Sequence, residues 1–138
     1  MHSEVIRVET GSAPAVVDLT SHCERFLAEF AGGTDDGLLS VFVPHATAGL
    51  AVMETGSGSE GDLLSLLDGL VPADDRWRHR HGSRGHGRDH LLPALISPSV
   101  VVPVVGGRMQ LGTWQSICLV DTNGDNRQRQ LRLSFLPG

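Results

Sequence analysis

Four of the seven histidines, His79, His81, His86 and His90, fall within one stretch of 12 residues, and a fifth, His45, follows Pro44. An even spread would place fewer than one histidine in a stretch of that length. Imidazole is the commonest side-chain ligand for zinc and related ions, and a catalytic zinc typically takes three protein ligands, leaving one position for water or substrate. Three histidines drawn from two or three chain regions fit that chemistry. The same stretch is rich in arginine and glycine, so a solvated surface segment, with His45 merely ending a strand, is an equally good reading. No fixed zinc signature decides between them.

Other residues could move protons or hold anions. Glu54 follows His45 by nine positions, and a carboxylate there or at Asp62 suits a reaction in which a proton must be moved. Glu60 and Asp62 also suit a helix N-terminus, where negative charge is favoured, and Glu60 is assigned that role alone. Gly112-Thr113-Trp114-Gln115 interrupts an apolar run with a glycine and an amide. A glycine in a strand marks close approach of a ligand or of another backbone, the plainer alternative being a bulge with Trp114 in the core. Arg127 and Arg129 could hold phosphate through their guanidinium forks, or simply face solvent on a terminal strand.

The elements that must position these residues follow from periodicity. Residues 4–9 alternate and 14–18 form an apolar run, both read as strands. A helix follows, with capping-box spacing from Ser21 to Glu24 and a stop at Gly32-Gly33. Strands are expected over 37–43 and 47–53. Leu63, Leu66, Leu67 and Leu70 repeat at helical spacing behind a second capping-box pair, Ser59 and Asp62, until Pro72. Residues 73–88, apolar only at Ala73 and Trp77, predict a long polar loop of the kind compact domains keep for function. A short apolar segment at 91–96 leads to strand 99–105, where Pro103 requires an edge or bulge. Gly106-Gly107 predicts a hairpin onto 108–120, and 127–135 predicts a last strand burying Leu131, Leu133 and Phe135. Consecutive hairpins without β-α-β alternation indicate an α+β fold in one domain, residues 1–138, with largely antiparallel sheet and two to three helices.

Composition limits the function. The 138 residues carry 11 basic and 16 acidic side chains, net −5, with a pI near 5.7 and mean hydropathy −0.03. No global positive field draws such a chain to nucleic acid or anionic lipid, and no membrane span is expected. All basic residues are arginine and tyrosine is absent, which excludes Schiff-base lysine, P-loop lysine and tyrosine-acid chemistry. Cys23 and Cys118 are separated by 94 residues and stand behind an N-terminal segment unlike a signal peptide. A cytoplasmic protein with two buried free thiols is expected.

Taken together, PHATAG at 44–49, Glu54, Asp62-Leu63-Leu64, LVP at 70–72, His90-Leu91, SPS at 97–99, PVVGGRMQLGTWQ at 103–115 and the Asn123-Gly124 turn resemble the YjbQ-type family, also called secondary thiamine-phosphate synthase enzymes. The resemblance covers nearly the whole chain. It implies a homotrimer with active sites near subunit boundaries and a histidine-bound zinc or other divalent metal. Its ligand histidines correspond to His45, His79 and His90, with His81 and His86 as alternatives to His79. The acidic residue before the arginine turn corresponds to Asp121, and the family's usual proline in that turn is missing here. The implied activity joins a pyrimidine pyrophosphate to a thiazole phosphate. In that reaction Glu54 or Asp62 would move a proton, Gln115 would hydrogen-bond a ring or phosphate, and Arg127 or Arg129 would hold the phosphate. A metal-assisted phosphoester hydrolase and a non-enzymatic, trimeric metal- or ligand-binding module are the competing readings.

Overall fold

Alternating residues at the start of the chain form β1 (His2–Glu9), and the next apolar run forms β2 (Ala15–Asp18). Helix α1 (Thr20–Phe30) follows. Ser21 lies inside this helix instead of capping it, and the Asp18 carboxylate accepts from the Thr20 N–H at 2.8 Å. Strands β3 (Gly37–Phe42) and β4 (Ala48–Met53) flank the Pro44-His45 corner. Helix α2 (Ser59–Leu70) starts after Gly58. Its Ser59 makes no side-chain cap, and the Glu60 carboxylate reaches back to the Gly56 N–H at 2.8 Å. Beyond the polar loop come two single-turn helices, α3 (His86–Asp89) and α4 (Leu92–Leu95). Strands β5 (Ser99–Val105), β6 (Arg108–Met109), β7 (Ser116–Asp121) and β8 (Gln128–Pro137) complete the chain. The computed structural model describes residues 1–138.

All strand pairs are antiparallel. A five-stranded sheet runs β1-β8-β3-β5-β6 and a three-stranded sheet β2-β7-β4. The expected hairpin onto 108–120 is therefore corrected. Of that stretch β5 pairs with Arg108 and Met109 and accepts one further bond from the Gln110 N–H, after which Gly112 to Gln115 turns, with the Gln115 N–H donating to the Gly112 carbonyl at 3.0 Å. That turn carries the chain to the other sheet and leaves Trp114 73% exposed instead of packed in the core. Pro103 behaves as expected: on the side of β5 away from β3 its carbonyl accepts from the Gln110 N–H at 2.8 Å just where the pairing with β6 ends, so the missing N–H falls at the end of that ladder.

The main core lies between the five-stranded sheet and a layer of α1 plus the three-stranded sheet. Cys23, Phe26 and Leu27 of α1 meet Leu39, Val41, Leu131, Leu133 and Phe135 there, with Ile117 and Leu119 of β7. Helices α2 and α4 close the far side of the smaller sheet through Leu67, Leu92 and Val120. Both cysteines are free and buried, as expected, and burial pushes each thiol up to about 12. The outer face of the larger sheet keeps Leu38, Phe42, Val101, Val105 and Leu136 between 41% and 58% exposed. No helix is long and apolar enough to cross a membrane.

Candidate metal centre

The four crowded histidines come together. Their available ring nitrogens all lie within 4.8 Å of one another. Spacing does half of this, because His86 and His90 stand one helical turn apart and so share a face. Their Nε2 atoms are 2.9 Å apart. The loop does the rest. Gly85 takes φ 78° at the start of α3, a conformation that disfavours a side chain. At Gly87 a Cβ would lie 2.5 Å from the His79 carbonyl oxygen, so only glycine lets the loop cross α3 at this height. The crossing sets the His79 ring 4.1 Å from His90 and 4.0 Å from His81, measured between centroids. The Trp77 indole anchors the loop by donating to the Pro72 carbonyl at 2.8 Å.

A buried polar frame holds α3. Arg88 is 5% exposed and pairs with Asp68 of α2, and it also donates to the Val71 carbonyl at 3.2 Å. The Asp89 carboxylate accepts from Thr122 Oγ1 at 2.6 Å and from Asn123 Nδ2 at 3.1 Å. The His86 Nδ1 lies 2.8 Å from Asn123 Nδ2 and 2.9 Å from Asp125 Oδ2. The turn after β7 thus grips the helix that carries two of the histidines.

Electrostatics disfavour the charged form of His90, His79 and His45. Burial lowers the pKa of His90, helped by His79, His86 and His81 and opposed by Asp89. His79 is lowered by desolvation and then by His81 and His86, so its lone pairs stay available to a cation. His45 is lowered by burial, then by Arg129, against Asp121. Each folded pKa lies below that of the unfolded chain, so as pH falls below about 6.5 the unfolded chain takes up protons first. The metal-free protein is expected to lose stability over that interval and to level off once the folded rings are also charged. Urea midpoints at about pH 7.5 and about pH 5.5 check this, and equal values would contradict it.

The remaining expected site residues stand elsewhere in the single chain. His45 is not in the cluster; its Nε2 accepts from the Gln130 N–H at 3.1 Å, beside the Asp121–Arg129 pair. Arg129 is 1% exposed, held by both Asp121 oxygens at 2.7 and 2.9 Å and donating to Thr47 Oγ1 at 2.9 Å. It is committed to the fold and has no fork free for phosphate. Glu54 is exposed and accepts from Ser57 Oγ at 3.2 Å, Asp62 is exposed in the first turn of α2, and Arg127 is exposed before β8. Gln115 closes its own turn through the Gly112 N–H at 2.8 Å and lines a cavity of about 530 Å³ between α1 and residues 107–111, which none of the clustered histidines enters. His79, His81 and His86 line a cavity of about 140 Å³ with Arg80 and Arg84. Sequence reasoning passed over Asn123, Asp125 and Asp89 as supports; the i, i+4 spacing of His86 and His90 was the signal available for the group itself.

The donor set fits a borderline divalent ion. A zinc–nitrogen bond is about 2.0–2.1 Å, so two nitrogens on one ion lie at most about 4.2 Å apart. The 4.8 Å spread exceeds that limit by about 0.6 Å.

Comparison with known proteins agrees with the fold. The family model described as UPF0047 protein YjbQ-like matches residues 4–138. A UPF0047 protein of Mycobacterium tuberculosis is 56% identical over 138 residues, covering 100% of both chains. A hypothetical protein of Aeropyrum pernix K1 superposes with a TM-score of 0.90 at 34% identity over 100% of both chains. A protein of Sulfolobus solfataricus P2, described as YbjQ-like and of unknown function, gives 0.90 at 26% identity, covering 99% of this chain and 97% of that one. With a family match spanning nearly its whole length and a relative identical at more than half its positions, this chain belongs to the UPF0047, YjbQ-like family.

Proposed function

We propose that this chain is a cytoplasmic, metal-dependent transferase of the thiamine-phosphate-synthase type, acting on small phosphorylated substrates, with the histidine cluster as its metal centre. The observation that carries the reading is the convergence of four imidazoles at one point beside arginines. His79 and His90, joined by His81 or His86, would hold a zinc or similar ion, which when bound supplies positive charge where a pyrophosphate leaves. Arg80 and Arg84 line the same cavity and would hold phosphate oxygens through their forks. That cavity, about 140 Å³, is smaller than the roughly 300–1,000 Å³ of sites that enclose small molecules. A second chain completing the site is therefore part of the proposal. In a homotrimer, Glu54 or Asp62 of a neighbour would move the proton, and Gln115 and Arg127 would contact ring and phosphate. The uncovered apolar face of the larger sheet supports such an assembly, because patches of this kind mark interaction surfaces.

The test uses untagged protein. About one zinc per chain is expected, with condensation of the pyrimidine pyrophosphate and thiazole phosphate lost on chelation and restored by zinc. Light scattering at micromolar concentration is expected to read three chains. Metal-free protein, or activity indifferent to chelator, overturns the metal reading, and a single chain in solution overturns the trimer. The count of four imidazoles favours a second reading, a non-enzymatic metal-binding module, since closed four-ligand sites are structural. Turnover of neither the thiamine precursors nor a phosphoester panel by zinc-loaded protein would select it, and chelator-sensitive hydrolysis of a phosphoester would select the hydrolase.

A further inference from the structure

The hydrogen bonds around His86 contain a conflict that points to its role. Its Nδ1 faces a donor, Asn123 Nδ2 at 2.8 Å, and an acceptor, Asp125 Oδ2 at 2.9 Å. The amide cannot be reversed, because Asn123 Oδ1 already accepts from the Asp125 and Asn126 N–H groups at 2.8 and 3.2 Å, and Asn123 Nδ2 donates to Asp89 at 3.1 Å. A neutral imidazole carries one proton, so only one of the two contacts at Nδ1 can be a hydrogen bond at a time. With the proton on Nε2, Nδ1 accepts from Asn123 and Nε2 donates to His90 Nε2, 2.9 Å away. With the proton on Nδ1, Asp125 accepts it and the Nε2 lone pair is released toward the other three rings. The second arrangement is that of a histidine ligand oriented by a carboxylate.

We propose that His86 is the histidine that joins His79 and His90 as a ligand of the centre, binding through Nε2, and that Asp125 is its positioning residue, selecting the tautomer with the proton on Nδ1 while Asn123 holds the other tautomer when the centre is empty. His86 is 8% exposed, so its ring is fixed by its surroundings. Gly82 belongs to the same device: a Cβ there would lie 2.8 Å from the His86 ring and 2.9 Å from Asp125 Oδ2, so the loop clears both partners only as glycine. The Asp125 carboxylate is also held by the Ser83 N–H at 3.3 Å, which ties the turn after β7 to the histidine loop. This inference rests on the metal centre proposed above and adds to it which histidine completes the ligand set and where its proton sits.

Two measurements test it with zinc as the probe. In the full-length protein labelled at histidine nitrogen, zinc is expected to move the His86 proton from Nε2 to Nδ1, read from the imidazole nitrogen shifts and couplings. A His86 that keeps its Nε2 proton in zinc-loaded protein overturns the proposal without any variant. By calorimetry, Asp125→Ala is expected to weaken zinc about 10–100-fold, and His86→Asn at least as much, with folding followed by circular dichroism. Zinc bound by both variants within twofold of the parent overturns the proposal and leaves the metal centre standing. A parent protein that binds no zinc overturns both.

Discussion

Asp121→Ala is expected to cost about 3–5 kcal/mol of folding stability, the usual result of leaving a buried charge without its partner. Both oxygens of Asp121 are engaged by Arg129, and both residues are 1% exposed. Arg129 sits on the inward face of β8, two residues before Leu131, among the apolar side chains of the main core. Removing the carboxylate would leave a guanidinium there with only Thr47 Oγ1 as its recorded side-chain partner. The urea midpoint should fall with the slope unchanged. The double variant Asp121→Ala, Arg129→Met should recover most of the loss, since an apolar replacement of both partners removes the unpaired charge. A single-variant loss below about 1 kcal/mol would mean that water reaches Arg129 and that the pair is not sealed.

The second large effect is chemical. His90→Ala is expected to strip the protein of metal and to abolish its rescue of a thiamine-requiring strain, while His45→Ala leaves the metal content near that of the parent. The contrast follows from placement. The His90 ring lies between 4.1 and 5.6 Å from the other three clustered rings, centroid to centroid, whereas His45 is spent on the Gln130 N–H beside β8. Elemental analysis of the purified variants gives the first half and growth without thiamine the second. Rescue that survives in a metal-free His90→Ala protein would separate the activity from this centre. Metal lost equally from His45→Ala would show that the ligand set implied by the family resemblance holds in solution through an assembly that one chain does not display.

What could be read from the sequence divides along a physical line. Local periodicity was enough for Leu63 to Leu70, for the alternation of Leu131, Leu133 and Phe135, and for a polar loop crowded with histidine. Each signal is set by neighbours a few residues away. It failed at residues 108–120, where apolar spacing continues but Gly112 to Gln115 turns the chain from one sheet to the other. Helix starts were placed correctly and explained wrongly: the side-chain bonds near them come from Asp18, to the Thr20 N–H, and Glu60, to the Gly56 N–H, and not from Ser21 and Ser59. Arg129 was read as a candidate anion binder because guanidinium chemistry is visible in a sequence and its burial partner eight residues earlier is not. The grip of Asn123 and Asp125 on His86 spans 37 to 39 positions, beyond the reach of any periodicity.

That same grip sets an order of events in making the protein. Strand β8 pairs with β1 at His2↔Phe135 and with β3 at Leu39↔Phe135, so β1 stays detached from the rest of the larger sheet until β8 arrives. The histidines are synthesised earlier, on residues 79–90, but the turn that orients His86 comes with residues 123–125. Non-local pairing of this kind folds slowly, because distant segments must be brought together before their contacts stabilise anything. A nascent chain therefore carries four imidazoles without the frame that aims them. On the proposed metal reading, productive loading belongs after residues 123–125 are in place, since a preformed site is rarely available in the unfolded state.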